Sequence, residues 1–268
     1  MEQLVIFLAT GAIAGVLAGL FGVGGGLIIV PALAWLLPRH GVDASVVMQL
    51  AIGTSLAVIS ATSISSTFAH HKRSGVLWPI LKRLAPGLVA GAIMGGFVAD
   101  ALTGNALKKI VGIGALLVAL QMWLDLKPQT PRIPRPLGNI ELLSAGGVIG
   151  ILAALIGIGG GSLTVPYLSL RGISMREAVG TAAAAGMPIA WAGAIGFMLA
   201  GHGQAHLPAW SLGYVSLAGF VGIASASVLT APIGARLAHT LPPKALKRAF
   251  ALMLFLIGLG MLLDSGIA

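Results

Sequence analysis

Long stretches without charge, broken by short polar or glycine-rich segments, run through the whole chain. No Asp, Glu, Lys or Arg occurs between Glu2 and Arg39. A single helix of that length would far exceed the roughly 20 residues that cross a bilayer core. The glycine run at residues 22–26 must therefore break the stretch. This predicts a helix of spanning length at residues 4–21 and a shorter, proline-interrupted one at residues 27–37.

The same pattern predicts further helices on both sides of one polar connector. Residues 127–136 contain four prolines, which cannot lie in a helix interior, so this segment is predicted to be an extended linker. We predict a first transmembrane repeat at 1–126, a Pro-rich linker at 127–139 and a second transmembrane repeat at 140–268. The remaining predicted helices are 46–69, 76–99 and 106–126, then 140–156, 163–170, 178–200, 209–235 and 246–263.

The two predicted repeats share five features in the same order, which a tandem duplication explains best. They pair Gly22–Pro31 with Gly157–Pro166, Gly53-Thr54 with Gly180-Thr181, Trp78 with Trp210, Leu107-Lys108-Lys109 with Leu246-Lys247-Arg248, and Asp125 with Asp264.

Composition limits the class of protein. Hydrophobic residues make up 57% of the 268 residues and charged residues 9%, with a mean hydropathy of +1.00. Soluble domains carry about a quarter charged residues. We therefore predict an all-α polytopic membrane protein, which excludes a cytosolic enzyme. The absence of cysteine excludes a disulfide scaffold. Because no Lys or Arg precedes Arg39, we also expect the first segment to be retained rather than cleaved as a signal peptide.

The basic residues predict how the repeats are oriented. Each repeat has five apolar segments, an odd number, so the second repeat should cross the membrane inverted. If Met1 lies on one side of the membrane, this topology places 13 of the 16 Lys and Arg residues on the opposite side. Only Arg39, Lys108 and Lys109 then lie on the same side as Met1. Basic residues concentrate in cytoplasmic loops, which also explains the net charge of +9 without a nucleic-acid partner. The linker is then cytoplasmic, and both termini lie outside the cytoplasm.

The duplicated glycine turns are the main candidate for a binding site. Short, Gly/Pro-interrupted segments at matching positions of two repeats indicate the substrate site of a secondary transporter. Glycine lets the backbone approach a small ligand, and a helix that begins there offers free N–H groups to an anion. The alternative is that these glycines only allow close helix packing. The candidate residues are Gly24, Gly25, Gly26, Gly159, Gly160, Gly161 and Ser162.

Neutral polar side chains on the third segment of each repeat extend this candidate site. Gln49, Thr54 and Ser55 come from the first repeat and Thr181 from the second. The hydroxyls between residues 60 and 67 are instead interpreted as bonding to their own helix carbonyls. His70 and His71 are interpreted as part of a cytoplasmic basic cluster.

The acidic residues lie at segment ends or in loops, away from the positions where proton- and sodium-coupled sites keep a carboxylate. We therefore expect an anion held by neutral donors, with no metal, no cofactor and no catalytic residue.

The paired G-[VI]-G-G-G-x-[LI]-x-V-P motifs, about 135 residues apart and each followed by Gly-Thr, resemble those of the TauE/SafE family, also called DUF81. These are sulfite and organosulfonate exporter permeases. The resemblance implies an inner-membrane transporter for a small sulfur-containing anion such as sulfite, an organosulfonate or thiosulfate. One departure is visible, since Ala182 stands where the first repeat has Ser55.

Two other functional classes compete with a transporter. An intramembrane enzyme would need a serine and a histidine within hydrogen-bond reach as nucleophile and base. A passive anion channel is the second alternative. Sequence leaves open the oligomeric state, the transport direction, the coupling ion and the identity of the anion. It also leaves open whether the short first pair of helices in each repeat, broken at its Gly-rich turn, spans the membrane or re-enters it.

Overall fold

The computed structural model describes residues 2–21, 25–72, 74–124, 138–240 and 243–263. Ten helices and one short hairpin make up this part of the chain. The helices are α1 Glu2–Phe21, α2 Gly26–Arg39, α3 Val47–Lys72, α4 Trp78–Asp100, α5 Gly104–Trp123, α6 Asn139–Ile156, α7 Gly161–Leu170, α8 Met175–Ala200, α9 Leu217–Thr240 and α10 Pro243–Leu263. The antiparallel hairpin joins β1 Ser211–Leu212 to β2 Val215–Ser216.

The helices confirm an all-α polytopic membrane protein. Six of the described helices or helix segments are long and apolar enough to cross a bilayer: α3, α4, α5, α6, α8 and Leu217–Gly234 of α9. The α2 helix is apolar but shorter. Ten predicted segments correspond in order to the ten helices. Residues 127–137 of the predicted linker, Asp125 and Asp264 lie outside the described residues, so the linker remains a prediction, and its last residue, Asn139, already begins α6.

One predicted segment, residues 209–235, is wrong at its beginning. The hairpin occupies residues 211–216, and α9 begins only at Leu217. Gly213 makes the hairpin turn at φ 52°, and Trp210 adopts φ 63°. Trp78 begins α4 whereas Trp210 precedes the hairpin, so these two tryptophans are not structural counterparts.

Most close helix pairs join one helix from each half of the chain. The first helix of each half packs along the fourth of the other, α1 against α9 and α6 against α4. The two third helices, α3 and α8, pack together, and so do the two fifth helices, α5 and α10. Glycine allows the backbones to touch, since a Cβ atom at Gly91 would lie 2.1 Å from the Gly147 carbonyl oxygen. Neither half forms a separate unit.

Contacts between loops define two ends of the helix bundle. At the first end, His206 lies 3.8 Å from Asp43, and the Tyr214 hydroxyl donates to Asp100 at 2.6 Å. Burial and the Asp100 carboxylate raise the pKa of Tyr214, so its phenol keeps the proton that it donates. At the second end, Arg171 forms an ion pair with Glu141.

Candidate functional site

The two glycine turns meet inside the bundle, as the duplication predicts. A Cβ atom at Gly26 would lie 2.3 Å from the Gly157 carbonyl oxygen and 3.1 Å from the Ile158 Cα. Ile59 of α3 borders both turns, because Cβ atoms at Gly26 and Gly159 would lie 2.8 and 3.2 Å from its side chain. We call this place the glycine junction. Gly24 lies outside the described residues.

Two helices begin at the glycine junction and lead to opposite ends of the bundle. Gly25, at φ 76°, precedes α2, and its carbonyl accepts hydrogen bonds from Ile28 and Ile29 at 3.0 Å. Gly160 precedes α7, and its carbonyl accepts from the Thr164 N–H at 2.8 Å. The positive ends of both helix dipoles therefore point into one region, which favours an anion there.

The two turns differ in how much space they leave. Gly26 is packed against backbone atoms, whereas a Cβ atom at Gly161 would meet no atom of the described residues within 4 Å beyond its own helix. Ser162, also a predicted site residue, is half-buried beside this space. Among the described residues, no acceptor bonds the N–H groups of Ser162 and Leu163. The beginning of α7 is therefore the open half of the junction.

Thr164 is a site residue that the sequence pattern did not reveal. Its side chain is fully buried, and its Oγ1 has no hydrogen-bond partner within the described structure. A Cβ atom at Gly160 would lie 3.2 Å from this hydroxyl, which places it against the glycine turn. A buried hydroxyl without a partner costs about 1–3 kcal/mol. A ligand oxygen at the beginning of α7 would remove that cost.

Ser55, Thr54 and Thr181 lie in buried contacts between the halves. The Ser55 Oγ donates to the Gly157 carbonyl at 3.0 Å and so fixes the second turn against α3. The Thr54 Oγ1 accepts from the Ser216 N–H, and the Thr181 Oγ1 accepts from the Leu77 N–H, both at 2.9 Å. Ala182, the counterpart of Ser55, has no hydroxyl to make an equivalent bond.

The two threonine contacts are equivalent across the halves. Ser216 directly precedes α9, and Leu77 directly precedes α4, so each threonine satisfies an N–H group at the beginning of the other half's fourth helix. Each hydroxyl keeps its own hydrogen, so donation to an anion by Thr54 or Thr181 remains a prediction.

Gln49 lies apart from the glycine junction. Its Nε2 donates to the carbonyls of Leu102 at 3.1 Å and Ala99 at 3.4 Å, where α4 ends. Gln49 is five positions before Thr54 in α3, which corresponds to about 7.5 Å along the helix toward the first end. The structure therefore does not bring Gln49 to the turns.

Most of the hydroxyl cluster of α3 behaves as interpreted from the sequence, but the Thr67 hydroxyl donates to the Ala183 carbonyl of α8 at 3.5 Å. Ser60, Ser63 and Ser65 donate to carbonyls three residues earlier, at 2.7, 3.1 and 2.9 Å. His71 accepts a hydrogen bond from the Trp78 indole at 3.2 Å. Across the described parts of the chain, no three His, Asp or Glu side chains converge as metal ligands would.

The interlocked helices and the neutral junction of two helix N-termini define a polytopic membrane protein with a candidate anion site between its halves. The model of the sulfite exporter TauE/SafE family matches residues 7–261. The chain therefore belongs to this family.

Relatives in distant organisms share about three quarters or more of the chain. A Haemophilus influenzae protein is 37% identical over 263 residues, covering 97% of this chain and 98% of the relative. A Methanocaldococcus jannaschii protein is 28% identical over 260 residues, covering 96% and 95%. Bacillus subtilis YunE is 31% identical over 226 residues, covering 74% and 79%. All three are named as probable membrane transporter proteins.

Proposed function

We propose that this protein is a secondary transporter that moves a small sulfur-containing anion across the inner membrane. The substrate is of the sulfite, organosulfonate or thiosulfate type. One observation carries the proposal: in the first turn of α7, beside the glycine junction, the buried Thr164 hydroxyl lies against Gly160 and has no hydrogen-bond partner within the described structure. The family description supports the substrate class.

Neutral donors would bind the anion. The first turn of α7 holds three such donors: the N–H groups of Ser162 and Leu163 and the hydroxyl of Thr164. Each hydrogen bond to a charged group contributes about 1.5–3 kcal/mol net, so several together offset the loss of hydration. Desolvation cost grows as the square of the charge, so a monoanion such as hydrogensulfite should bind better than sulfate. We expect modest affinity.

Alternating access would arise from movement of one half against the other. The junction lies between helices that belong to different halves, with α2 leading to the first end and α7 to the second. Rocking around a fixed central site would expose the site to each end in turn, the mechanism of transporters built from inverted repeats.

Counterflow in proteoliposomes tests the function and the role of Thr164 together. Vesicles preloaded with unlabelled sulfite should take up labelled sulfite faster than empty vesicles, and sulfate preloading should have little effect. Thr164→Val keeps the shape and removes the unpartnered hydroxyl. We expect the KM to rise about tenfold, the equivalent of one lost hydrogen bond to an anion, with unchanged or higher thermal stability.

With the membrane potential clamped by potassium and valinomycin, a channel would show no acceleration by preloading, and an intramembrane enzyme would show no protein-dependent uptake. Either result would contradict the proposal. A wild-type KM in the Thr164→Val variant would show that this hydroxyl does not bind the anion. Thr62→Val is a matched control, because the Thr62 hydroxyl bonds only to carbonyls of its own helix at 3.3 and 3.4 Å.

The proposed orientation places both termini outside the cytoplasm. Because the chain has no cysteine, each introduced cysteine is the sole labelling site. Cysteines at Lys72 and Arg171 should resist impermeant thiol reagents in intact cells and react after permeabilisation. A cysteine at His202 should react in both. Labelling of Lys127→Cys in intact cells would contradict the inverted orientation.

A further inference from the structure

A cavity of about 600 Å³ lies between α2, α5 and α10, apart from the glycine junction. Side chains of α2 and α10 form apolar walls, among them Trp35 and Leu256, and Gly260 contributes bare backbone. Arg39 and Lys108 lie at its polar end. We call it the α2–α10 groove. No acidic side chain is among the described residues that line it.

The two cations reach the same end of the groove because α2 ends and α5 begins there. Arg39 is the last residue of α2, and its guanidinium lies 3.7 Å above the Trp35 ring. One of its N–H groups donates to the Trp35 carbonyl at 2.6 Å, and a guanidinium has five such donors. Lys108, in the second turn of α5, is only 4% exposed.

The apolar walls of the groove face outward from the bundle. Trp35 is 62% exposed and Leu256 is 59% exposed. A Cβ atom at Gly260 would meet none of the described parts of the chain within 4 Å, apart from its own helix. In a protein that crosses a membrane, such exposed apolar surface faces acyl chains. A tryptophan beside an arginine at a helix end is typical of the depth of lipid headgroups.

We propose that the α2–α10 groove binds an anionic phospholipid. The phosphate lies between Arg39 and Lys108, and an acyl chain follows the apolar walls past Gly260. Both side chains attract phosphate, and no described lining carboxylate repels it. A zwitterionic headgroup would also bring its own cation close to two basic side chains, so the polar end favours an anionic headgroup. This proposal is independent of the anion site at the glycine junction.

Native mass spectrometry of the full-length protein in detergent, titrated with phosphatidylglycerol or phosphatidylcholine, tests the headgroup. We expect wild type to bind phosphatidylglycerol at least tenfold more tightly than phosphatidylcholine. Arg39→Gln with Lys108→Gln should abolish this preference, and Arg39→Gln alone, at an exposed position, should weaken it. Lys109→Gln is the matched control, because Lys109 is adjacent and exposed but does not line the groove.

Gly260→Leu tests the acyl chain separately from the charges. The new side chain enters open space, so it should fill the groove without disturbing the helices. We expect phosphatidylglycerol binding to fall at least tenfold although both cations remain. Equal binding of the two lipids by wild type would overturn the proposal. Unchanged phosphatidylglycerol binding by Gly260→Leu would overturn it as well, and displacement of the lipid by sulfite would then indicate an entrance for soluble anions.

Discussion

Enlarging Gly161 is expected to abolish transport while the protein stays folded. Among the described residues, no atom beyond its own helix lies within 4 Å of the Cβ position of this residue, which begins α7. Alanine is better than glycine in a helix by up to about 1 kcal/mol, so Gly161→Ala should not destabilise the fold. The added methyl enters the space where we place the anion. Gly161→Leu fills that space, and its transport rate should fall to background.

Gly26→Ala is the contrasting variant on the other turn. Its methyl would lie 2.3 Å from the Gly157 carbonyl oxygen, a backbone atom that cannot rotate away. We expect this variant to lose thermal stability and activity together. Gly161→Leu should instead keep the wild-type melting temperature in detergent. If its melting temperature fell with its transport rate, the second turn would serve packing alone.

The structure makes Gly161 a cleaner test than the neighbouring glycines that the sequence singles out. Gly25 has φ 76°, where an alanine costs about 1–2 kcal/mol. A Cβ atom at Gly160 would lie 2.4 Å from the Ile189 Cδ1, so this side chain would have to move. Loss of transport in Gly25→Ala or Gly160→Ala would therefore combine local strain with loss of the site.

Replacing both Thr54 and Thr181 by valine is expected to destabilise the protein strongly. The sequence suggests that valine would keep the shape and remove only a donor to the anion. In the structure, each replacement also leaves an N–H group without its acceptor, that of Ser216, which is buried, or that of Leu77, which is partly buried. An unsatisfied buried N–H group costs about 1–3 kcal/mol, so the double variant should lose at least that much, most of it at Ser216.

Thermal unfolding in detergent measures this loss, with serine variants as the rescue. Thr54→Ser with Thr181→Ser keeps both acceptors and should remain close to wild type in melting temperature. A double valine variant as stable as wild type would show that these contacts do not hold the halves together. If the double valine variant folds, its KM for sulfite then tests whether either hydroxyl also donates to the anion.

Helix positions could be predicted from sequence because membrane spans need long charge-free stretches, and those are visible in the chain. The hairpin before α9 could not be predicted from sequence. Its turn depends on Gly213 at positive φ and on Tyr214, whose hydroxyl bonds Asp100 at a distance of 114 residues along the chain. An apolar stretch carries no local signal of such a contact.

The glycine junction could be predicted because the duplication marks both turns. Thr164 could not, since the first repeat has Ile29 at the matching position and only the three-dimensional structure shows that its hydroxyl lacks an acceptor. Sequence also marked Thr54 and Thr181 but not their partners, which lie 162 and 104 residues away. The sequence places Lys108 near the beginning of the predicted helix 106–126, with no sign that it is buried. Its burial results from the packing of α5 beside the α2–α10 groove.

The location of a bound anion tests most directly whether the glycine junction is the substrate site. Crystals grown with selenite, the selenium analogue of sulfite, would reveal the anion by its anomalous scattering. We predict a selenium peak at the beginning of α7, with its oxygens about 3 Å from the Ser162 and Leu163 N–H groups and the Thr164 hydroxyl. Crystals of Gly161→Leu should lack it. Selenium bound only between Arg39 and Lys108, with none at the junction, would contradict the proposed site.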